Sequence, residues 1–172
     1  MPVIILLNIN QIKLKKIFFM VAIFATAFLQ KGFAQDSATQ SQIPQLLSLY
    51  YNIKDALVAG NATTAESKAE AFIKVANGID YKIISEGNIN TLLKDAGKIS
   101  EAKDLKKQRE YFANFSTNMI AVAKAIKLSN KPIYEAYCPM KKAYWLSSEK
   151  EIKNPYYGSA MLTCGQVTET IQ

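Results

Sequence analysis

From Ile43 onward the chain carries apolar residues at helical spacing. Ile43, Leu46, Tyr50, Ile53 and Leu57 recur at intervals of three and four, the period of one buried stripe on an amphipathic helix. This first helix is expected to start near Pro44, since proline is tolerated in a first helical turn. Gly60-Asn61 ends it. A second helix opens at Thr63, where Thr63-x-x-Glu66 has the form of a capping box. Ala65, Ala69, Phe72 and Ala76 supply its inner face, and Asn77-Gly78 stops it. A third is expected from about Asn88 to Ser100, burying Ile89, Leu92, Leu93, Ala96 and Ile99. The fourth and longest runs from about Asp104 to Leu128. Its apolar side is Leu105, Phe112, Phe115, Met119, Val122 and Ile126, interrupted by Gln108. Short connections force antiparallel neighbours, so the pattern predicts an all-α, up-down four-helix bundle.

After Asn130 the pattern changes. Tyr134, Tyr137, Tyr144, Trp145, Tyr156 and Tyr157 crowd together, punctuated by Pro132, Pro139, Pro155, Gly158 and Gly165. No single helix accommodates that many breakers. Extended segments are expected at Ile133–Cys138 and Ala143–Leu146, with a turn at Asn154–Gly158. The aromatic residues would pack this irregular segment, 133–171, onto the helices.

The N-terminal residues have a different character. Lys13, Lys15 and Lys16 precede the apolar run Ile17 to Leu29, followed by Lys31-Gly32-Phe33-Ala34. Such a run, with small residues after it, is the pattern of a secretory signal peptide, here 1–34. Gln35 to Gln42 is polar and short and is expected to be a disordered linker. One domain, 43–172, then remains. Export would place the protein in the periplasm or otherwise outside the cytoplasm, with no membrane attachment after cleavage.

The leader also explains much of the charge. The whole chain is +7, with 21 basic and 14 acidic residues. Lys13, Lys15, Lys16 and Lys31 lie in the leader and no acid does, which leaves about +3, ordinary for a soluble protein. Nucleic-acid binding would need clustered basic residues. The local group Lys106, Lys107 and Arg109 reads as a solvated helix face.

Candidate chemistry concentrates in the last third. Both cysteines of the chain, Cys138 and Cys164, stand there in mirrored pairs with methionines, as Cys138-x-Met140 and Met161-x-x-Cys164. Three readings follow. Two cysteines in an exported chain form a disulfide in the simplest case, which would stabilise by roughly 3–4 kcal/mol in the chain-entropy model. Thiolates with thioethers instead select soft metals, Cu(I) or Ag(I). Residues i and i+2 share a face of an extended segment, and i and i+3 are neighbours on a helical turn, so all four sulfurs can converge on one ion. The plain reading is two buried thiols and two core methionines. The chain has no histidine, which disfavours zinc catalysis and Cu(II). Glu135, Glu149 and Glu151 do not form a paired-carboxylate site, so the protein is not expected to be an enzyme.

The segment Tyr137-Cys138-Pro139-Met140, with Tyr144-Trp145-Leu146-Ser147, Ile152-Lys153-Asn154-Pro155-Tyr156-Tyr157-Gly158 and Met161-Leu162-Thr163-Cys164-Gly165, resembles the C-terminal part of the domain of unknown function 3347 family. Leu47-x-x-Tyr50-x-x-Ile53-Lys54-Asp55-Ala56-Leu57-Val58 is similar to the first helix of that family, and Asp104-x-x-x-Gln108-Arg109-x-x-Phe112 to the start of its last long helix. The family is found in exported proteins of the Bacteroidetes type, alone or joined to periplasmic adaptors of copper/silver efflux pumps. The resemblance implies an exported accessory protein of heavy-metal efflux or homeostasis, with such an adaptor or another envelope protein as partner. Carried over by position, the metal ligands are Cys138, Met140, Met161 and Cys164. Tyr137, Pro139, Trp145, Asn154, Pro155, Tyr156, Gly158 and Gly165 would shape and pack the motif. The alternative is a disulfide-stapled interaction module that docks through its aromatic segment and holds no metal.

Overall fold

A computed structural model describes the backbone of residues 31–172 and the side chains from residue 42 onward. The expected signal peptide therefore lies almost wholly outside the described residues. The chain divides into two units, Met1–Ala38 and Thr39–Gln172, and every contact given below lies within the second.

Four helices are followed by three strands. Helix α1 is Lys31–Val58, α2 is Ala62–Ala76, α3 is Glu86–Glu101 and α4 is Leu105–Ala125. The first helix begins well before Pro44. It carries that proline inside it and includes residues 35–42, where a linker was expected. An interior proline removes one hydrogen bond and crowds the carbonyl four residues back; both effects are local, and the helix continues on either side of Pro44. Among the described residues, no helix is long and apolar enough to cross a membrane.

The helix starts follow local capping chemistry. Asn61, not Thr63, caps α2: its side chain accepts the N–H of Thr64 at 2.9 Å. Asparagine is among the strongest N-cap residues, so it outcompetes the threonine two positions later. Ser85 and Asp104 serve α3 and α4 in the same way. Gln108 breaks the apolar stripe of α4 for a structural reason. It is fully buried, and its Nε2 donates to the carbonyls of Ala62 and Ala102, each at 2.9 Å. The last carbonyls of a helix have no intrahelical partner, which fits the bond to Ala102, and this one amide ties the start of α2 and the end of α3 to α4.

The all-α expectation gives way in the last third. Strands β1 (Ile133–Cys138), β2 (Ala143–Ser147) and β3 (Gln166–Ile171) form an antiparallel sheet in the order β2-β1-β3. The first two lie where extended segments were expected. The third was not anticipated, because Gln166-Val167-Thr168-Glu169-Thr170-Ile171 is mostly polar and mostly exposed. It is an edge strand, which does not need an apolar face of its own.

The sheet packs on α4 through β2, and one core joins helices and strands. Phe112 and Phe115 meet Tyr50 and Phe72 meets Phe115 edge-on, while Trp145, Leu146 and Tyr156 complete the core from the sheet side. Trp145 is 1% exposed and Tyr156 5%. Of the C-terminal aromatic residues Trp145 and Tyr156 thus pack inward, while Tyr134, Tyr137 and Tyr157 are half-buried and Tyr144 is exposed. Lys124 of α4 adds a polar clamp at the sheet edge, pairing at 2.7 Å with both Glu135 of β1 and Glu169 of β3.

Candidate functional site

β1 ends in Cys138, and a tight turn, 139–142, leads into β2 with Cys138 opposite Ala143. The N–H of Lys142 donates to the carbonyl of Cys138 at 2.8 Å, and Lys142 adopts a left-handed backbone (φ 56°). This turn points amides back toward the strand end. The N–H of Lys141 donates to Cys138 Sγ at 3.4 Å. Pro139 and Met140 sit exposed at the tip.

The other half of the site is a knot built around Asn154. This side chain is fully buried. Its Oδ1 accepts the N–H groups of Tyr156 (2.8 Å) and Tyr157 (3.3 Å), and its Nδ2 donates to the carbonyl of Cys164 at 2.6 Å. Its own N–H donates to Leu162 O at 2.8 Å, and its carbonyl accepts from Gly158. Buried amides with all polar atoms engaged specify a single loop conformation. Pro155 is buried beside it. Tyr156 extends this anchor: its hydroxyl donates to the carbonyl of Tyr144, and its ring meets Trp145 edge-on at 6.0 Å.

Gly165 then lets the chain enter β3. Its φ is +146°, and a Cβ there would stand 2.7 Å from Trp145 Cη2 and 2.9 Å from Tyr137 O. Only glycine fits such an approach. Gly158, at φ +56°, opens the short 3-10 turn Gly158–Met161. Tyr137 stacks obliquely on Tyr144 across β1 and β2, ring centres 4.6 Å apart.

These constraints bring the two thiols together. Cys138 Sγ and Cys164 Sγ are 3.6 Å apart, with Cys138 buried and Cys164 half-buried. Both cysteines are free thiols. The methionine side chains are not drawn in with them: Met140 is 63% exposed and Met161 half-buried. Their backbones do take part. The N–H of Met140 faces the sulfur of Cys164, and the carbonyl of Met161 accepts the N–H of Cys164 at 3.1 Å. The thiol of Cys164 is pushed up by desolvation and by its hydrogen-bonded neighbour Cys138, against which the Met140 amide acts. Each sulfur has a backbone N–H aimed at it, but for Cys164 desolvation and the neighbouring thiol outweigh that amide. Among the described residues, no group of three or more histidine, cysteine or carboxylate side chains converges as a metal site. A site here would rest on the thiol pair plus donors of another kind.

A family model described as "Protein of unknown function (DUF3347)" matches residues 46–131, half of the chain. The chain belongs to that family. In this DUF3347 protein the match runs from Leu46 in α1 to Lys131, just before β1. It covers the helices, including Tyr50, Gln108, Arg109 and Phe112. Cys138, Met140, Met161 and Cys164 all lie beyond its end, so the two methionine positions rest on the sequence motif and the two cysteine positions on the motif and their geometry. No curated protein and no solved structure matches the chain.

Parts of this site were beyond sequence reasoning. Asn154 was expected as a turn residue and among those that shape and pack the motif, but its role as the centre of the loop depends on burial. Lys141 was not among the candidate site residues, because it acts through its backbone N–H, which no side-chain pattern reports.

Proposed function

We propose that this DUF3347 protein binds a soft metal ion, Cu(I) or Ag(I), between Cys138 and Cys164, as an exported, non-catalytic accessory of heavy-metal efflux or homeostasis. The observation that carries this reading is the 3.6 Å separation of the two sulfurs. Two thiolates bonded to one ion at about 2.3 Å in tetrahedral geometry stand about 3.8 Å apart, whereas a disulfide needs about 2.05 Å. The pair is spaced as a bidentate clamp. The amides of Lys141 and Met140 would offset the charge of two thiolates, as backbone N–H groups do at anionic sites. Met140 and Met161 are the thioether donors adjoining the pair, and the exposed side chain of Met140 would have to fold over the ion to complete a three- or four-sulfur set. A periplasmic efflux adaptor is the partner this reading implies.

The same reading keeps the helices as an up-down bundle. α2 packs on α3 and α3 on α4, each across a short connection.

The test is Cu(I) titration of the reduced protein against a competing chelator, with free thiols counted before reduction. One ion bound tightly, lost on Cys138→Ser and on Cys164→Ser and weakened on Met161→Leu, supports the assignment. No binding by the reduced protein refutes it. If that comes with no free thiols before reduction, a disulfide-stapled interaction module is the better description. The exposed Met140, Tyr144 and Leu162 would then be its contact residues, because Trp145 and Tyr156 are committed to the core.

A further inference from the structure

A cleft of about 380 Å³ lies between the first turns of α4 and the loop that follows β2. Lys106, Arg109, Glu110, Lys141, Tyr156 and Tyr157 line it. Its volume is at the lower end of small-molecule sites.

The basic residues here are not the plain solvated face that the sequence pattern implied. Lys107 does behave that way, pairing with Glu110 at 3.1 Å on the exposed side of α4. Arg109 turns inward. It is half-buried, and its Nη2 donates to the carbonyl of Leu57 at 2.7 Å, at the end of α1. Its Nε is buried with no hydrogen-bond partner. Gly158 makes room for this guanidinium: a Cβ there would collide with Arg109 Nη2 and stand 2.8 Å from Val58 O.

The charge in the cleft is unbalanced. Lys106, Arg109 and Lys141 face one carboxylate, Glu110, which Lys107 already holds. Among the described residues, none of those three cations forms an ion pair. The carbonyls at the end of α1 carry only partial charge and compensate Arg109 incompletely. Burying a guanidinium without a counter-charge is costly, and desolvation accordingly lowers the basicity of Arg109. An anion entering the cleft would supply the missing charge. The ring faces and edges of Tyr156 and Tyr157 would take up an attached carbon skeleton.

We infer that this cleft binds a small organic dianion, a dicarboxylate or a phosphate monoester, through Arg109, Lys106 and Lys141. The inference uses none of the four sulfur residues; Lys141 enters it through its side chain and the metal reading through its backbone N–H.

Calorimetric titration of the full chain with succinate, with phenyl phosphate and with acetate, at about 0.15 M salt where loose surface pairing is screened, tests it. Saturable one-site binding of succinate or phenyl phosphate, with acetate much weaker, is the expected result, and the stronger of the two dianions identifies the anionic group. Lys106→Ala with Lys141→Ala should weaken that binding about tenfold or more. Lys106 is exposed, Lys141 is half-buried, and neither holds an ion pair among the described residues, so the unfolding midpoint should hold. Arg109→Gln should abolish binding, and if that variant does not fold, the lysine pair still decides. Absence of binding by both dianions overturns the inference. So does equal affinity for acetate, or binding that the double variant leaves unchanged. Retention of binding in Cys138→Ser separates this outcome from any failure of the metal site.

Discussion

The hydroxyl of Tyr50 in α1 accepts the backbone N–H of Leu146 in β2 at 3.0 Å, across 96 positions of sequence. The same hydroxyl meets Ser116 Oγ of α4 at 2.6 Å. All of these groups are buried, and burial pushes the Tyr50 phenol well above its usual range, so it stays neutral. One oxygen thus fixes the position of the sheet against two helices.

Tyr50→Phe should therefore destabilise the fold by about 1–3 kcal/mol. It leaves the Leu146 N–H and the Ser116 hydroxyl buried without that partner, at nearly constant volume. Denaturant unfolding followed by circular dichroism gives the value. Wild-type stability in the variant would mean that water reaches both groups.

Asn154→Ala removes the acceptor for two amides and the donor to Cys164 O. The expected loss is about 2–4 kcal/mol, since several buried groups lose partners at once. More telling is the local effect. The Cys164 loop should loosen, and alkylation of Cys164 by iodoacetamide should accelerate before global unfolding does. Equal alkylation rates in variant and wild type at matched stability would show that Asn154 does not hold the thiol.

Gly165→Ala tests the close approach of the chain to Trp145. The added methyl meets Trp145 Cη2 and Tyr137 O inside contact distance, at a φ that alanine seldom adopts. A loss of about 1–3 kcal/mol is expected from strain and overpacking, together with a shift in Trp145 fluorescence as its ring is displaced. A folded variant with unchanged emission would contradict that packing.

The thiol pair predicts a pH dependence with a definite sign. Cys164 in the folded protein titrates above an ordinary thiol, mainly through desolvation. A metal must displace that proton, so apparent Cu(I) affinity should rise with pH, about tenfold per unit for each proton released. The rise should continue past the usual thiol range before levelling. For the metal-free protein the linkage runs the other way. A raised folded pKa favours the fold below the unfolded thiol pKa, and that contribution is lost as pH climbs through the folded value. Titration of the thiolate absorbance in Cys138→Ser and in wild type separates the two sulfurs. A midpoint for Cys164 at or below that of a free thiol would contradict the expectation.

Much of the helical part was determined by the sequence alone. The stripes Leu46-Tyr50-Ile53-Leu57 and Phe112-Phe115-Met119-Val122 are periodic, and each is buried in the structure. Helical periodicity and capping are local, so they survive in a linear reading. The first two strands were legible for the same reason: aromatic and β-branched residues stand between proline and glycine breaks. β3 was not, because an edge strand can be polar and its existence depends on β1 lying beside it. The meeting of Cys138 and Cys164 was one of several possibilities in the sequence and became a distance only through the Asn154 knot and the Gly165 approach. Gln108 looked like a defect in a stripe, and Arg109 like solvated surface. Tertiary structure made the first a joint between helix ends and turned the second inward beneath Gly158. A residue's neighbours in sequence set its local conformation, while the partner for a buried polar group comes from whichever distant segment the core brings next to it.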